Sequence, residues 1–495
     1  MSINFIPNDP SAGSTAPGLR VQAKHANRPS TRADFTLANT QSEGVAAPGT
    51  ARFLFWQCRE AALSAVDAWE AVAGNITRWQ GNRRRLALRQ DAGVDLNAYY
   101  DRTSFSFFHQ AVSGTTYYSG ASTDVVSHEV GHGLLDSIRS DLWDAAFLET
   151  GAFHESFGDC MAVLTALSDR DTRVKLLAVT ATLKKANFVE ATAENLSEAI
   201  RRLVPNHNAA EPRHAFNTFQ FQIPETLPAT GGPGALINEV HSFGMIFSGC
   251  FYNLIAQIFA AQSSRTEATL LTSARTAGSL LVAGAKTALI APRFFQAVGR
   301  AMTLADDERN AGRNRDAIRL AFQQHNVMLG SNALLAPAAV LAGGAPSLGR
   351  AAALKPSTRR DLARRLRAGR GDRLTVRPVE LCGRRFACVF HTRRVSLTPV
   401  HRRLRGVSAV TSVPVLIGDS GGSPAVMGEL PDATTTEREV HAFVDSLVQN
   451  GQLDLDGVPP ASPSNRAVPR VTHRIRTVGG QRTLQRVRFH CGGHP

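Results

Sequence analysis

The sequence predicts an α+β chain: a body with strand signals ahead of a mainly helical stretch, and a small basic, β-rich domain beyond a linker. Three observations carry this. The stretch Ser104-Phe105-Ser106-Phe107 alternates as a strand does. Helical periodicity dominates from Thr123 to Gln324. At Leu334 the composition turns to Ala, Pro and Gly through Gly349, and the remainder is basic with shorter patterns. At 495 residues the chain also exceeds the size at which one core stops growing, roughly 250 to 300 residues, so more than one domain is expected.

Taken in order, residues 1–50 are rich in Ser, Thr, Ala, Pro and Gly and read as a flexible N-terminal arm. Phe53, Trp56, Ala61, Leu63, Val66 and Trp69 then mark one face of a helix reaching Ala73. Asn97 to Phe108 reads as a strand, and a glycine-bearing segment leads from it to a helix capped at Ser122 or Thr123 and ending near Ile138. A second helix is predicted from Ala152 to Leu167. Val174 to Leu203 reads as mostly helical with a break near Leu196, and 205–234 as irregular. Helices return at His241–Ala261, Thr266–Ala285, Phe294–Leu304 and Arg313–Gln324. Residues 51–330 therefore form the main body, 331–350 a linker and 351–495 an accessory domain, closed by a hairpin whose strands flank Gly479-Gly480.

Charge sets the accessory domain apart. Of a net +14, the segment Ala351–Arg405 holds sixteen Lys and Arg against three acidic residues, which leaves the rest near neutral. Such a block suits an anionic partner or simply a solvated surface. Phe386 and Phe390 are its only aromatics, too few for reading bases by stacking. The N-terminus lacks the basic start and apolar core of a secretory signal. The apolar stretches Phe247–Ala261 and Ala268–Ala291 are broken by Asn253, Gln257, Arg275 and Lys286, so no transmembrane segment is expected. A cytoplasmic or non-classically exported protein is the expectation. Six cysteines without CxxC spacing read as buried thiols, with Cys382 and Cys388 the pair placed to bond in an oxidising compartment.

The chemistry lies in His128-Glu129-Val130-Gly131-His132. Residues four apart share a helix face, so both imidazoles can address one zinc ion while Glu129 sits beside its water. By chance an HExxH arises in about one chain in fifty of this length, so its surroundings must decide. A third ligand is required, and Glu155 on the next helix is the candidate. Asp159, one turn on, is placed to accept the outer ring N–H of a zinc-bound histidine.

Asp124 to Asp136 followed by Gly151-Ala152-Phe153-His154-Glu155-Ser156-Phe157-Gly158-Asp159 resembles the thermolysin-like branch of the gluzincin metallopeptidases. The resemblance covers roughly residues 51–328 and makes 51–330 the zinc metallopeptidase domain. It implies a two-lobed fold and zinc held by His128, His132 and Glu155. It further implies Asp159 behind the metal and peptide substrates hydrolysed with Glu129 as general base. Asn97-Ala98-Tyr99-Tyr100 resembles the family's substrate-holding edge strand, which gives Asn97 and Ala98 that role. Val240-His241 resembles its oxyanion-binding histidine segment, which makes His241 catalytic, and Arg213 is placed to bind a substrate carbonyl, with Arg201 and Arg202 competing.

Three positions depart from the family. His154 stands where an Asn orients the second zinc histidine, and residues 140–151 carry no tyrosine to steady the oxyanion. Asp124 matches a calcium-ligand position, but its usual acidic partner is replaced near Ala166, so the double calcium site is not expected and calcium is doubtful. These departures keep open a different class of function, a zinc-fold binding protein of weak or no activity whose basic domain engages an anionic partner. Gly418-Asp419-Ser420-Gly421-Gly422-Ser423-Pro424 looks like a serine-peptidase nucleophile loop, but His391 and His401 lack the segment such a triad needs. A turn is the expected reading.

Overall fold

A computed structural model describes residues 2–330, 356–369, 371–381, 384–420, 423–427, 433–455 and 470–491. Its helices in the main body are α1 (Ala51–Ala73), α2 (Thr123–Ile138), α3 (Leu148–Ser168), α4 (Arg170–Val179) and α5 (Glu194–Leu203). They are followed by α6 (Val240–Ala260), α7 (Glu267–Thr287), α8 (Phe294–Asn310) and α9 (Arg315–Gln323). The molecule is a mixed α+β structure in which α3 runs through the core between α2 and α6, with every residue from Leu148 to Leu167 buried.

Close approach of these helices depends on glycine. A Cβ added at Gly158 of α3 would stand 2.6 Å from Nδ1 of His128 on α2, and one at Gly244 of α6 would stand 2.9 Å from the Ala152 carbonyl of α3. Helix α6 is long and apolar enough to cross a membrane, with a mean hydropathy of 1.5 over its most apolar window, yet 83% of that window is buried within the fold. Its apolarity matches a core position.

Beside the helices lies a five-stranded sheet in the order Phe489–His490, Ala98–Tyr100, Ser104–Phe107, Arg85–Arg89, Asp34–Leu37. The expected strand from Asn97 to Phe108 is thus two antiparallel strands, reversed at Asp101–Thr103, where Arg102 takes a left-handed φ of +69°. The polar run Asp101-Arg102-Thr103 marks the reversal. A seven-stranded sheet is built from the C-terminal region, and its hairpin pairs His473–Val478 with Gln481–Arg486. Gly479 and Gly480 supply the positive φ values, +56° and +77°, that a two-residue hairpin turn demands.

Several expectations are corrected. Residues 2–9 are not a free arm: Ser2–Phe5 pairs with Arg20–Ala23, and Ile3 and Phe5 are buried against the main body. The helical run Val174–Leu203 is interrupted from Thr180 to Ala193, a longer break than the one expected near Leu196, and Ala193 enters α5 in a left-handed conformation. The accessory region is not separate from the main body either, because Phe489–His490 completes the body's sheet at the edge of Ala98–Tyr100. The strands Val407–Ser420 and Ser423–Met427 pair antiparallel, so that Gly418, Asp419 and Ser420 lie opposite Ala425, Pro424 and Ser423; Gly421 and Gly422 lie outside the described residues. Cys58, Cys160, Cys250, Cys388 and Cys491 are free and buried. The linker 331–350 and Cys382 lie outside the described residues.

Candidate metal centre

Helix α2 begins at a side-chain cap, the Ser122 hydroxyl accepting from the Val125 amide at 3.3 Å. Two turns on, His128 and His132 leave the same face toward α3, which presents Glu155 and Asp159 one turn apart. A ring nitrogen from each histidine and one Glu155 oxygen lie within 4.8 Å of one another. His128 Nε2 is 3.2 Å and His132 Nε2 3.5 Å from the same Glu155 oxygen, all three side chains being buried.

The surroundings of each ligand set its tautomer. His128 donates from Nδ1 to Asp159 at 2.8 Å, leaving Nε2 free to ligate. His132 and His154 meet through their Nδ1 atoms at 3.0 Å. With His132 ligating through Nε2, its Nδ1 carries the proton and donates to His154, which takes the role expected of an Asn. This donor set fits zinc: two imidazole nitrogens and a carboxylate with an open fourth position. Among the described residues, neither the buried His132 Nε2 nor either oxygen of Glu129 has a hydrogen-bond partner.

Electrostatics separate the two glutamates. Burial raises the Glu129 carboxyl to about 8 against the pull of His128, so it readily holds a proton in the metal-free protein. Burial also opposes charge on Glu155, but His241 and His132 hold it well below the ordinary carboxylate range. His241, at the first turn of α6, donates from Nδ1 to Glu239 at 2.7 Å and directs Nε2 to within 3.2 Å of Glu155. Although burial disfavours its charge, Glu155 and Glu239 hold this imidazole well above its ordinary value.

Arg213 is brought to the centre, whereas Arg201 and Arg202 stay on the exposed side of α5. It pairs with Asp159 at 2.9 Å and approaches His128 Nδ1 at 3.3 Å, so its first partner is the carboxylate behind the metal ligands. Asn97 is buried, its side-chain oxygen accepting from the Ala98 amide at 2.9 Å. The Ala98 carbonyl accepts from the Cys491 amide at 2.8 Å. A cavity of about 790 Å³ continues from the centre, lined by Arg213, Phe216, His241 and Met245 among others.

Several residues at the centre had no signal in the sequence. Trp143 lies in the 140–151 segment that carries no tyrosine, and its indole N–H donates to the Arg486 carbonyl at 3.2 Å. Phe489 stacks on His154 at 4.1 Å and on His132 at 4.8 Å between ring centres. The Cys491 sulfur, a ring nitrogen of His128 and a Glu129 oxygen lie within 4.8 Å of one another. Phe489 and Cys491 arrive from more than 300 positions along the chain, beyond any local pattern. Glu239, two residues before His241, was the one visible hint that the histidine had a carboxylate partner.

A second acidic group, Asp9, Asp124 and Glu194, gathers its oxygens within 4.8 Å at the start of α2. Asp124 thus finds its acidic neighbours on the N-terminal segment and α5, where the family pattern did not direct the search. Compared with known proteins, the chain matches the profile of the fungalysin metallopeptidase (M36) family over residues 29–333. No curated protein matches it.

Proposed function

The chain belongs to the fungalysin (M36) metallopeptidase family, and on that premise we propose that it is a zinc-dependent endopeptidase with Glu129 as general base. Membership itself makes it a hydrolase of peptide bonds that uses a metal, usually zinc. This family is related to but distinct from the thermolysin-like branch, so the motif resemblance holds at the coarser level of zinc metallopeptidase. The match also begins at residue 29, ahead of the boundary drawn at 51.

The observation that carries the mechanism is the convergence of His128, His132 and Glu155 beside a Glu129 carboxylate whose oxygens have no hydrogen-bond partner among the described residues. Zinc held there supplies, when bound, an acidified water and an electrophile for a carbonyl. Glu129 takes the proton of the attacking water and returns it to the leaving amine. Protonated His241 donates Nε2–H to the oxyanion as charge develops, held in place by Glu239. Asp159 fixes the His128 tautomer, and Arg213 balances its charge. Ala98 offers its carbonyl to an extended substrate's N–H. The two-lobed arrangement, with the cleft between the sheet and α6, belongs to this reading, as does the basic region 351–405 as a surface for an anionic partner. Calcium is assigned no step.

The alternative of a weakly active zinc-fold protein is favoured by one observation, the chain segment lying along the substrate edge. Zinc content and cleavage of an unstructured protein separate the two. The expected result is one zinc per chain and hydrolysis abolished by chelation and restored by zinc; a zinc-loaded protein that cleaves nothing, even with residues 489–491 displaced, overturns the peptidase reading.

A further inference from the structure

The strand Phe489–His490 lies where an extended peptide substrate must lie. It pairs antiparallel with Ala98–Tyr100, matching Phe489 to Tyr100 and His490 to Tyr99, and the Cys491 amide takes the Ala98 carbonyl at 2.8 Å. The His490 carbonyl accepts from His241 Nε2 at 2.6 Å, using the donor intended for the oxyanion. Phe489 covers His132 and His154 by stacking, and the Cys491 thiol stands beside Glu129. Phe489, His490 and Cys491 are each no more than 5% exposed.

The segment is also held from outside the groove. Arg486 donates to the Trp143 carbonyl at 3.1 Å while its own carbonyl accepts from the Trp143 indole, and its guanidinium lies 4.0 Å from the centre of the Phe489 ring. These contacts tie the end of the hairpin to the loop before α3, so the strand is delivered to the edge at a fixed register. An unpaired edge strand accepts any extended chain, and an intramolecular one needs no diffusion to arrive.

We propose that residues 489–491 are an internal pseudosubstrate, and that the folded full chain is latent until this strand leaves the Ala98–Tyr100 edge. The proposal rests on the peptidase reading of the centre. Backbone and oxyanion contacts are consumed by the segment, while the adjoining cavity past Arg213 and Met245 stays open. A substrate can therefore meet the cavity, but it cannot reach the zinc ligands or Glu129 while the strand is in place.

The test uses the full chain and two substitutions that spare the metal ligands and Glu129. Cys491→Pro removes the amide that bonds Ala98, and Phe489→Ser removes the ring over His132; zinc content and circular dichroism establish that each is folded. Exchange of backbone amides across residues 97–101, followed by mass spectrometry, is expected to quicken about ten-fold or more in both. Cleavage of an internally quenched peptide is expected to rise by a similar factor, and a synthetic peptide of residues 484–491 to reverse both effects. Unchanged exchange, or faster exchange with cleavage equal to the parent chain, overturns the latency. If the edge opens and the peptide rebinds yet no variant cleaves anything, the peptidase reading falls instead.

Discussion

His154 shows how one substitution within a motif is accommodated. The thermolysin-like pattern has an Asn here to accept from the histidine proposed as the second zinc ligand, and in this chain an imidazole nitrogen meets that histidine at 3.0 Å. Replacement of such a partner typically costs 10- to 100-fold in metal affinity. His154→Leu is therefore expected to weaken zinc binding by about that factor, with His154→Asn close to the parent, as measured by competition with a chromogenic chelator; equal losses in both would remove the orienting role. Gly158 matters for a steric reason, because a Cβ there meets the His128 ring at 2.6 to 2.8 Å. Gly158→Ala should cost about 1 to 3 kcal/mol of stability by overpacking and should also lower zinc affinity. Urea denaturation with zinc titration checks this, and an unperturbed variant would contradict the close packing.

The motif residues were legible because they occupy two consecutive helices, where spacing fixes direction. HExxH placed two imidazoles on one face, and the segment ending Glu155-Ser156-Phe157-Gly158-Asp159 placed the proposed third ligand, Glu155, and the carboxylate of Asp159 one turn apart. The acidic partners of Asp124 were not legible, since Asp9 and Glu194 arrive from separate elements. Burial, joined by repulsion from Asp124 and Asp9, raises Glu194 to about 10, and burial raises Asp9 and Asp124 as well. A folded-state carboxyl raised above its unfolded value holds a proton that the unfolded chain has lost. Stability from this cluster is thus present below the unfolded pKa and is lost as pH rises toward 10. Urea midpoints of the metal-free protein should fall from about pH 5 to about pH 9, and Glu194→Gln should flatten that fall. An identical slope in the variant would locate the titration elsewhere.

At the scale of the whole molecule, the sequence divided what the fold joins. Low apolar content suggested a loose arm for residues 1–50, but Ile3 and Phe5 bury against α1, and Asn8 donates its side-chain N–H to the Phe188 carbonyl at 2.8 Å. The basic composition suggested a separate C-terminal domain, yet its hairpin ends in a strand of the body's own sheet. Composition reports average solvation and is blind to pairing between segments hundreds of residues apart. The seam is further closed by Arg293, which pairs with Glu439 and, at 3.4 Å, with Glu149. Removing the C-terminal hairpin would therefore both open the substrate edge and strip contacts from the loop holding Trp143. For that reason point substitutions at 489 and 491 are better probes than truncation.

The central claim is that Glu129, beside zinc bound by His128, His132 and Glu155, performs peptide hydrolysis. Its most direct test is kcat on a quenched peptide for zinc-loaded Cys491→Pro with and without Glu129→Gln, zinc content being measured on the same samples. One zinc per chain is expected in both, with a loss of about 10²- to 10⁴-fold or more in kcat when Glu129 becomes Gln. Turnover retained in the Glu129→Gln protein with its zinc in place would contradict it.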